Sequence, residues 1–338
     1  MEMTRRIFVT RPLPDHLADS LRARGVTVET YDGELPVPRT DLVRAVRTSD
    51  AVIVTISERV DADLIAQAPA DGPLRVLGTI STGTDHIDLG AASRQGLQVR
   101  RVPPAITAVA TAELTLALTL VTARRLIEAW HDLRAGSWNS WMPYQWTGGL
   151  LAGRSLGVLG LGAIGGLVAG YGHALGMRVR FTARSPREDL PPWLEQVPLD
   201  TLLATSDVLS VHVPLTDETA GLVGKRELGL MPRGALLINT SRGGVVDEDA
   251  LLAALDGGRL AGAGLDVFGR EPVDPRHPLV RHPRVVALPH VGSATTSTRD
   301  DMMRSAVESG LRVLDGLSPA DETVPPGFDR TVDRRPAK

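Results

Sequence analysis

The feature that most constrains this chain is a glycine motif placed between a buried strand and a helix. Residues 155–162 read SLGVLGLG, an apolar run typical of a buried strand, and Gly160, Gly162 and Gly165 have the spacing G-x-G-x-x-G. The first glycine of such a motif makes a tight turn, the second lets the backbone approach a pyrophosphate, and the third lets helix and strand pack closely. The motif therefore predicts an α/β unit that binds a dinucleotide. A glycine-rich turn without a ligand is the alternative.

Short apolar runs alternate with helix-like segments in two series. Strands of the first series are predicted at 6–10, 27–30, 51–55, 76–80 and 98–102. Strands of the second series are predicted at 155–159, 179–182, 208–213, 235–240, 262–266 and 285–288. Because this alternation produces parallel strands joined by helical crossovers, we expect an α/β protein with two doubly wound parallel sheets. The length of 338 residues fits two domains of about 150 residues each.

The composition excludes several classes of function. The chain has no cysteine, which rules out disulfide frameworks, thiolate metal sites and cysteine nucleophiles, and we expect no bound metal. A formal net charge of -3 without a basic patch argues against binding to nucleic acid.

Membrane and targeting segments are not expected either. The N-terminus lacks the apolar stretch and cleavage site of a signal peptide. Residues 105–123 are apolar enough to imitate a membrane helix, but they include Glu113 and five threonines. We interpret this segment as a helix buried in a core or a subunit interface. The expected location is the cytoplasm, without membrane contact.

The end of the strand after the glycine motif indicates which dinucleotide is bound. In NAD-binding units a carboxylate about 20 residues past the motif hydrogen-bonds a ribose hydroxyl. Here residues 182–187 read TARSPR, without an acidic side chain. Arg184 and Arg187 offer guanidinium forks and Ser185 a hydroxyl, groups suited to a 2′-phosphate. We therefore predict NADPH, with NADH as a weaker alternative. The other interpretation is that these arginines are ordinary exposed loop residues.

Four chemically capable side chains lie near the ends of later strands. Arg242, Asp266 and His290 each end or follow an apolar run, and Glu271 lies just beyond Asp266. The carboxyl ends of parallel strands lie at one edge of a sheet, where ligands bind. We therefore expect these four side chains to converge.

These residue types suit the reduction of a 2-keto acid. Such a reduction needs a hydride on carbon and a proton on oxygen, and a protonated histidine supplies the proton at neutral pH. A carboxylate bound to the other ring nitrogen would fix the tautomer and favour the charged ring. An arginine can hold the substrate carboxylate through two hydrogen bonds and polarise the carbonyl. Each residue alone has an ordinary structural interpretation, but the dinucleotide motif upstream favours catalysis.

The chain also resembles a known family, the D-isomer-specific 2-hydroxyacid dehydrogenases. The resemblance lies in four successive motifs, GLGAIG (160–165), TSRGGVVDEDAL (240–251), AGLDVFGREP (263–272) and PHVGSAT (289–295). It extends to about Leu317 and implies a catalytic triad of Arg242, Glu271 and His290.

The resemblance further implies a discontinuous pair of domains. A Rossmann-type dinucleotide-binding domain, 104–289, would be inserted in a flavodoxin-like substrate domain formed by 1–103 and 290–317. Residues 318–338, rich in proline, aspartate and arginine, would form a loose tail.

Additional site residues are implied by the same resemblance. Thr82 and Gly83 lie in a loop similar to one whose backbone N–H groups hold the substrate carboxylate, although an ordinary strand-to-helix turn would have the same sequence. Cofactor contacts are implied, beyond the glycines and the loop after the next strand, at Thr111, Ala163, Ile164, Ala183, Val213, Pro214, Thr219, Thr240, Asp266, Gly292 and Ser293.

Within the family, the pattern is most similar to that of glyoxylate/hydroxypyruvate reductases. The similarity includes STGTDHID at 81–88 and the tryptophans at 138 and 141. It implies a homodimer in which Trp141 reaches the active site of the neighbouring subunit and helps bind substrate. Trp138, Trp141 and Trp146 have the alternative interpretation of surface or interface aromatics.

Two other functions remain open at this point. One is the reduction of a larger 2-keto acid, such as a sugar-derived one. The other is a non-catalytic dinucleotide-sensing module, because the same fold serves as a corepressor scaffold. Consumption of NADPH in the presence of 2-keto acids distinguishes an enzyme from such a module.

Overall fold

The computed structural model describes residues 5–317, which form two compact units. One unit contains the described residues up to Thr107 and from Thr295 onward, and the other contains Ala108–Ala294. The predicted tail, 318–338, lies outside the described residues. The assignment of the two units as substrate and cofactor domains stays a prediction.

The first unit is built on a five-stranded parallel sheet with the order β2-β1-β3-β4-β5. Its strands are β1 (Arg6–Val9), β2 (Thr27–Thr30), β3 (Ala51–Val54), β4 (Val76–Thr79) and β5 (Gln98–Arg101). Its helices are α1 (Asp15–Ala23), α2 (Arg39–Thr48), α3 (Ala62–Ile65), α4 (Leu89–Arg94) and the returning helix α12 (Thr296–Leu314). This strand order is the flavodoxin-like one.

The second unit is built on a seven-stranded parallel sheet with the order β12-β11-β10-β9-β6-β7-β8. Its strands are β6 (Ser155–Leu159), β7 (Arg178–Thr182), β8 (Leu194–Gln196), β9 (Val208–Val211), β10 (Ala235–Asn239), β11 (Leu260–Leu265) and β12 (Val285–Ala287). The helices that belong to it are α6 (Leu126–Arg134), α7 (Ala163–Ala174), α8 (Leu199–Thr205), α9 (Lys225–Leu230), α10 (Glu248–Asp256) and α11 (Pro278–Arg281). The order reverses at β6, and ligands bind outside the carboxyl ends of strands at such a switch point.

Helices cover both faces of each sheet. Because side chains along a strand alternate in direction, neighbouring residues of one strand pack against helices on opposite faces. In β1, Ile7 and Val9 pack with α1 and α12, whereas Phe8 packs with α2, α3 and α4. In β10, Leu237 packs with α8 to α11 and Ile238 with α7. The predicted class, with two doubly wound parallel sheets, is confirmed.

Three short or exposed elements were not expected from the sequence. β8 has three residues and α11 has four, too few for a recognisable period. In α6 no residue is buried, so its apolar positions face no core within the described chain.

The apolar segment forms one long helix, α5 (Pro104–Ala123). By length and composition it could cross a membrane, with a mean hydropathy of 1.7, but 56% of its most apolar window is buried inside the protein. The hydroxyls of Thr115 and Thr119 donate to backbone carbonyls one turn earlier in the helix. This burial agrees with the interpretation of a core helix.

Candidate active site

The glycine motif forms the turn between β6 and α7. Gly160 has a φ of +96°, where a side chain would be strained, and a Cβ there would lie 2.9 Å from the carbonyl oxygen of His212. A Cβ at Gly165 would overlap the carbonyl oxygen of Gly160, so this glycine permits close contact between strand and helix. Gly162, in contrast, borders open space.

The turn leaves room for a phosphate group. Gly162 is the N-cap of α7 and provides no side-chain hydrogen bond to the first helical turn. The first N–H groups of a helix need an acceptor from outside the helix, and the helix dipole favours an anion. Open space at Gly162 together with the uncapped helix start therefore fits the pyrophosphate of a dinucleotide, which Ala163 and Ile164 would face.

The loop after β7 brings Arg187 toward the glycine turn. The Arg187 guanidinium lies 3.5 Å from the carbonyl oxygen of Leu161, between the first two glycines of the motif. Arg184 is 89% exposed and lies 3.4 Å from the Glu218 carboxylate. An ion pair this exposed contributes little stability. Both guanidinium groups therefore lie at the surface, and that of Arg187 lies beside the predicted phosphate site.

Gln196 on β8 holds this loop in place. Its amide nitrogen donates to the carbonyls of Ala183 and Ser185, at 3.4 and 3.0 Å, and its amide oxygen accepts the N–H of Arg187 at 2.9 Å. No sequence pattern indicated this residue, because β8 has only three residues.

The segment after β9 packs on the other side of the glycine turn. Val213 would lie 2.8 Å from a Cβ at Gly160. The Thr219 hydroxyl donates to the carbonyl of Pro214 at 2.5 Å and accepts the N–H of Thr216 at 2.8 Å. Thr219, a predicted cofactor contact, therefore closes the loop beside the motif through these two hydrogen bonds.

The two predicted catalytic residues Glu271 and His290 are in direct contact. The Nδ1 atom of His290 lies 2.6 Å from Oε2 of Glu271. The other carboxylate oxygen of Glu271 accepts the N–H of Phe268 at 2.9 Å. The His290 side chain is 28% exposed, so the ring is held at one nitrogen and remains reachable.

The surroundings of Glu271 favour its ionised form. Burial alone would raise the pKa of Glu271, but the hydrogen bond and charge of His290, the N–H of Phe268 and the charge of Arg242 outweigh it and lower the pKa below the ordinary value. Glu271 is therefore a carboxylate at neutral pH. It accepts the Nδ1 proton of His290, which leaves Nε2 as the nitrogen that exchanges a proton with a substrate.

Asp266 anchors the turn that presents His290. Its buried carboxylate accepts the N–H groups of Val291 and Gly292, both at 2.8 Å, and its carbonyl accepts the N–H of His290 at 2.9 Å. The pKa of Asp266 lies above its ordinary value, because the effect of burial outweighs that of these two hydrogen bonds, which lower the pKa. His290 has a φ of +54°, a conformation that is unusual for a residue with a side chain.

Arg242 comes directly after β10, in a turn organised by Asn239. The amide oxygen of this buried residue accepts the N–H and the hydroxyl of Ser241, at 3.0 and 2.8 Å, and its nitrogen donates to the carbonyl of Arg242 at 3.0 Å. Gly243 then packs against the backbone of Phe268, on the loop that carries Glu271. The structure thus brings Arg242, Glu271 and His290 to one edge of the sheet, as expected.

Four of the predicted cofactor residues, Thr111, Thr240, Gly292 and Ser293, border the same edge. The hydroxyl of Thr240 lies 2.8 Å from that of Thr115 on α5. A Cβ at Gly292 would lie 3.4 Å from the hydroxyl of Thr111, and Ser293 follows in this turn. Thr111 thus borders the turn that carries His290.

The predicted substrate residues Thr82 and Gly83 lie in the first unit, after β4. Within residues 5–317, the backbone N–H groups of Thr82, Gly83 and Thr84 donate no hydrogen bond to the protein. Three neighbouring N–H groups in a half-buried loop suit an anionic ligand. Trp141, the remaining predicted substrate residue, is 76% exposed in the loop after α6.

The comparisons with known proteins give one consistent family. A sequence model described as "D-isomer specific 2-hydroxyacid dehydrogenase, NAD binding domain" matches residues 116–292. A glyoxylate reductase of Aeropyrum pernix is 42% identical over 321 residues, which cover 93% of this chain and 94% of that protein.

Solved structures agree over the same extent. The crystal structure of the TT0316 protein from Thermus thermophilus has a TM-score of 0.86 and 44% identity, covering 93% of this chain and 98% of that one. An NADPH-dependent glyoxylate/hydroxypyruvate reductase from Sinorhizobium meliloti, solved with NADP and malonate, has a TM-score of 0.80 and 30% identity, covering 92% and 94%.

Proposed function

Because the chain belongs to the D-isomer-specific 2-hydroxyacid dehydrogenase family, we propose that it reduces glyoxylate or hydroxypyruvate to the D-2-hydroxy acid with NADPH. The observation that carries the proposal is the 2.6 Å contact between His290 and the ionised Glu271, at the sheet edge that Arg242 shares. The names of the relatives support the substrate, since two of those compared are glyoxylate reductases.

Each residue of the triad has a distinct task in this reaction. A nicotinamide cofactor, held at the glycine turn, would supply the hydride. Nε2 of protonated His290 gives a proton to the carbonyl oxygen, while Glu271 holds Nδ1 and stabilises the positive ring. Arg242 holds the substrate carboxylate and draws charge toward the carbonyl oxygen. The open N–H groups at Thr82, Gly83 and Thr84 hold the carboxylate as well.

The preference for NADPH is supported by Arg184 and Arg187. The Arg187 guanidinium lies beside the glycine turn, Arg184 belongs to the same exposed loop, and no carboxylate follows directly at the end of β7. We expect a higher kcat/KM with NADPH than with NADH. Replacing both arginines by alanine should lower the NADPH-to-NADH ratio at least about tenfold, the effect of losing charged hydrogen bonds. Arg178→Ala, at the start of β7, is the matched control, and a wild-type preference for NADH would overturn the assignment.

The homodimer is a further part of the proposal. α6 has no buried residue, and Trp130, Leu133, Trp138 and Trp141 are each more than half exposed. A concentration of exposed large apolar side chains marks a protein interface. In the dimer, Trp141 would narrow the neighbouring pocket and favour small keto acids. The cytoplasm is the proposed location, with small-molecule ligands and neither nucleic acid nor membrane as partners.

The decisive experiment is a panel of 2-keto acids assayed with both cofactors. Glyoxylate, hydroxypyruvate, pyruvate and 2-ketogluconate are each mixed with NADPH or NADH, and cofactor absorbance is followed. We expect the highest kcat/KM for glyoxylate or hydroxypyruvate with NADPH. The highest value for 2-ketogluconate would favour a reductase of larger acids. Cofactor binding without consumption would instead favour a dinucleotide-sensing module.

A further inference from the structure

A row of hydrogen-bonded side chains, His86, Thr79 and Ser81, supports the loop that contains Thr82 and Gly83. The Ser81 hydroxyl donates to the carbonyl of Gly83 at 2.7 Å. The hydroxyl of Thr79, fully buried at the end of β4, lies 2.8 Å from that of Ser81. Nε2 of His86 lies 2.9 Å from the hydroxyl of Thr79. The row therefore runs from His86, at the far end of the loop, back to the carbonyl of Gly83.

Counting hydrogens gives this row a single direction. A carbonyl only accepts, so the one proton of the Ser81 hydroxyl is used on Gly83. The hydroxyl of Thr79 must then donate to Ser81, which uses the one proton of Thr79. Nε2 of His86 must therefore donate to Thr79. The row works only when His86 carries a hydrogen on Nε2.

The row fixes the direction of one of the N–H groups proposed to bind the substrate carboxylate, that of Thr84. A trans peptide is planar, with its C=O and N–H pointing in opposite directions. Holding the Gly83 carbonyl toward Ser81 therefore directs the N–H of Thr84 away from it. The carbonyl of His86 also accepts the N–H of Val60 at 2.9 Å, which ties the loop end to the segment after β3.

From these contacts we infer that His86 is a positioning residue for the substrate-carboxylate loop, acting through Thr79 and Ser81. The inference rests on the proposed function, in which this loop binds the carboxylate of a keto acid. His86 touches neither substrate nor cofactor in this assignment. Its task is to keep the loop N–H groups aligned before substrate arrives.

The test is a comparison of His86→Phe with His86→Gln. Phenylalanine keeps a planar ring without a donor, whereas glutamine places an N–H donor near the position of Nε2. We expect His86→Phe to raise KM for the keto acid about tenfold, the size of one lost hydrogen bond, with kcat within about twofold. His86→Gln should recover most of the wild-type KM, and KM for the cofactor should stay unchanged in both.

A second variant and a control separate this task from general stability. Thr79→Val breaks the row at its next member and should raise KM for the keto acid by the same factor as His86→Phe. The double variant should raise KM little further, because each single substitution already interrupts the same row of hydrogen bonds. His16→Phe, at an exposed position on α1, is the matched control. An unchanged KM in folded His86→Phe, or a His86→Gln variant no better than His86→Phe, would overturn the inference.

Oxalate binding distinguishes failure of this inference from failure of the proposed function. Oxalate presents a carboxylate but cannot accept a hydride, and its affinity for the NADP-loaded protein is measured by calorimetry. If the wild type binds oxalate without reducing any keto acid, the proposed function fails, and weaker oxalate binding by His86→Phe still supports the positioning task. If the wild type reduces a keto acid but His86→Phe binds oxalate as tightly as the wild type does, the inference is wrong and the proposed function stands.

Discussion

His290 has an unusual backbone conformation that Asp266 holds in place, and its ring is hydrogen-bonded to Glu271. Its φ of +54° persists because Asp266 accepts the N–H groups of three successive residues, His290, Val291 and Gly292. Non-glycine residues with such a φ are enriched at functional sites, where the surroundings hold them in place. Glu271 then sets the ring orientation. The residue that would move the proton is therefore oriented before any ligand binds.

Replacing His290 tests its role as proton donor. His290→Asn should lower kcat by about 10² or more, the usual range for loss of a general acid, because asparagine cannot deliver a proton to the substrate oxygen. Steady-state kinetics with glyoxylate and NADPH provide the measurement. His16→Asn, on exposed α1, is the control for histidine removal. A kcat unchanged from wild type would exclude His290 from the proton transfer.

The lowered pKa of Glu271 predicts an acid-dependent stability. A carboxyl group whose pKa is lower in the folded than in the unfolded chain stabilises the fold above its unfolded pKa, and this contribution is lost as pH falls through the folded pKa. Glu271→Gln lacks the titrating group. The Tm of the wild type should therefore exceed that of Glu271→Gln near neutral pH, and the difference should shrink on acidification below the ordinary glutamate range.

Calorimetry across this pH range measures the effect. Glu34→Gln, at an exposed loop position, gives the baseline for removing one surface carboxylate. A Tm difference for Glu271→Gln that grows as the pH falls would contradict the assignment of a stabilising carboxylate.

At the scale of elements, the site depends on loops that follow neighbouring strands. The loop after β10 carries Arg242 and the loop after β11 carries Glu271, and both strands pair in one parallel sheet. Gly243 allows the two loops to touch, because a Cβ there would overlap the backbone of Phe268. The N–H of Gly269 is held by the Glu248 carboxylate of α10 at 2.8 Å. Loop-to-loop packing therefore sets the distance between arginine and glutamate.

Gly243→Ala should push these two loops apart. The added methyl group meets backbone atoms, which cannot rotate away as a side chain can, so we expect a loss of about 1–3 kcal/mol in stability and at least about a tenfold fall in kcat/KM. Gly244→Ala is the matched control, since its nearest neighbour is the flexible side chain of Leu215 at 3.3 Å. Thermal melting curves and kcat/KM, measured for Gly243→Ala and Gly244→Ala, test this prediction. Equal behaviour of the two variants would show that loop contact is unimportant.

Some elements of the fold could be predicted from the sequence better than others. Long buried strands and the glycine turn have strong local patterns, and the structure contains them close to their predicted bounds. β8 has only three residues, and it supplies Gln196, which holds the predicted phosphate loop. Asn239 and Phe268 were missed as well, because each supports the site through its backbone or amide and not through acid-base chemistry. Such supporting contacts depend on turns that no sequence period indicates.

At the scale of the whole molecule, we propose that Trp141 reaches the active site of a second copy, as the resemblance to glyoxylate/hydroxypyruvate reductases implies. Trp141 is 76% exposed and contributes to no core cluster among the described residues. If it narrows the neighbouring pocket, Trp141→Ala should raise KM for glyoxylate about tenfold, the lower end for losing an apolar contact in a pocket. Trp138→Ala, in the same loop, is the control.

A mixed dimer tests whether Trp141 acts across the interface. One subunit carries Trp141→Ala and the other His290→Asn, with different affinity tags to isolate the mixed species. If Trp141 acts on its neighbour, the only subunit with an intact His290 receives an intact Trp141, and the wild-type KM returns. A KM equal to that of Trp141→Ala in the mixed dimer would contradict action across subunits.

The sequence alone indicated the strands and the residues at their ends, because a strand pattern is formed by residues that are adjacent in the chain. These patterns indicated two parallel sheets, the glycine turn and the convergence of Arg242, Asp266, Glu271 and His290, while the catalytic triad among these four was implied by the resemblance to a known family. Contacts between residues far apart in the chain required the tertiary structure: Asp266 under the His290 turn, Gly243 against Phe268, and the hydrogen-bonded row from His86 to Gly83. The physical reason is that a hydrogen bond or a close backbone contact requires positions within a few ångströms, and only folding brings those atoms together.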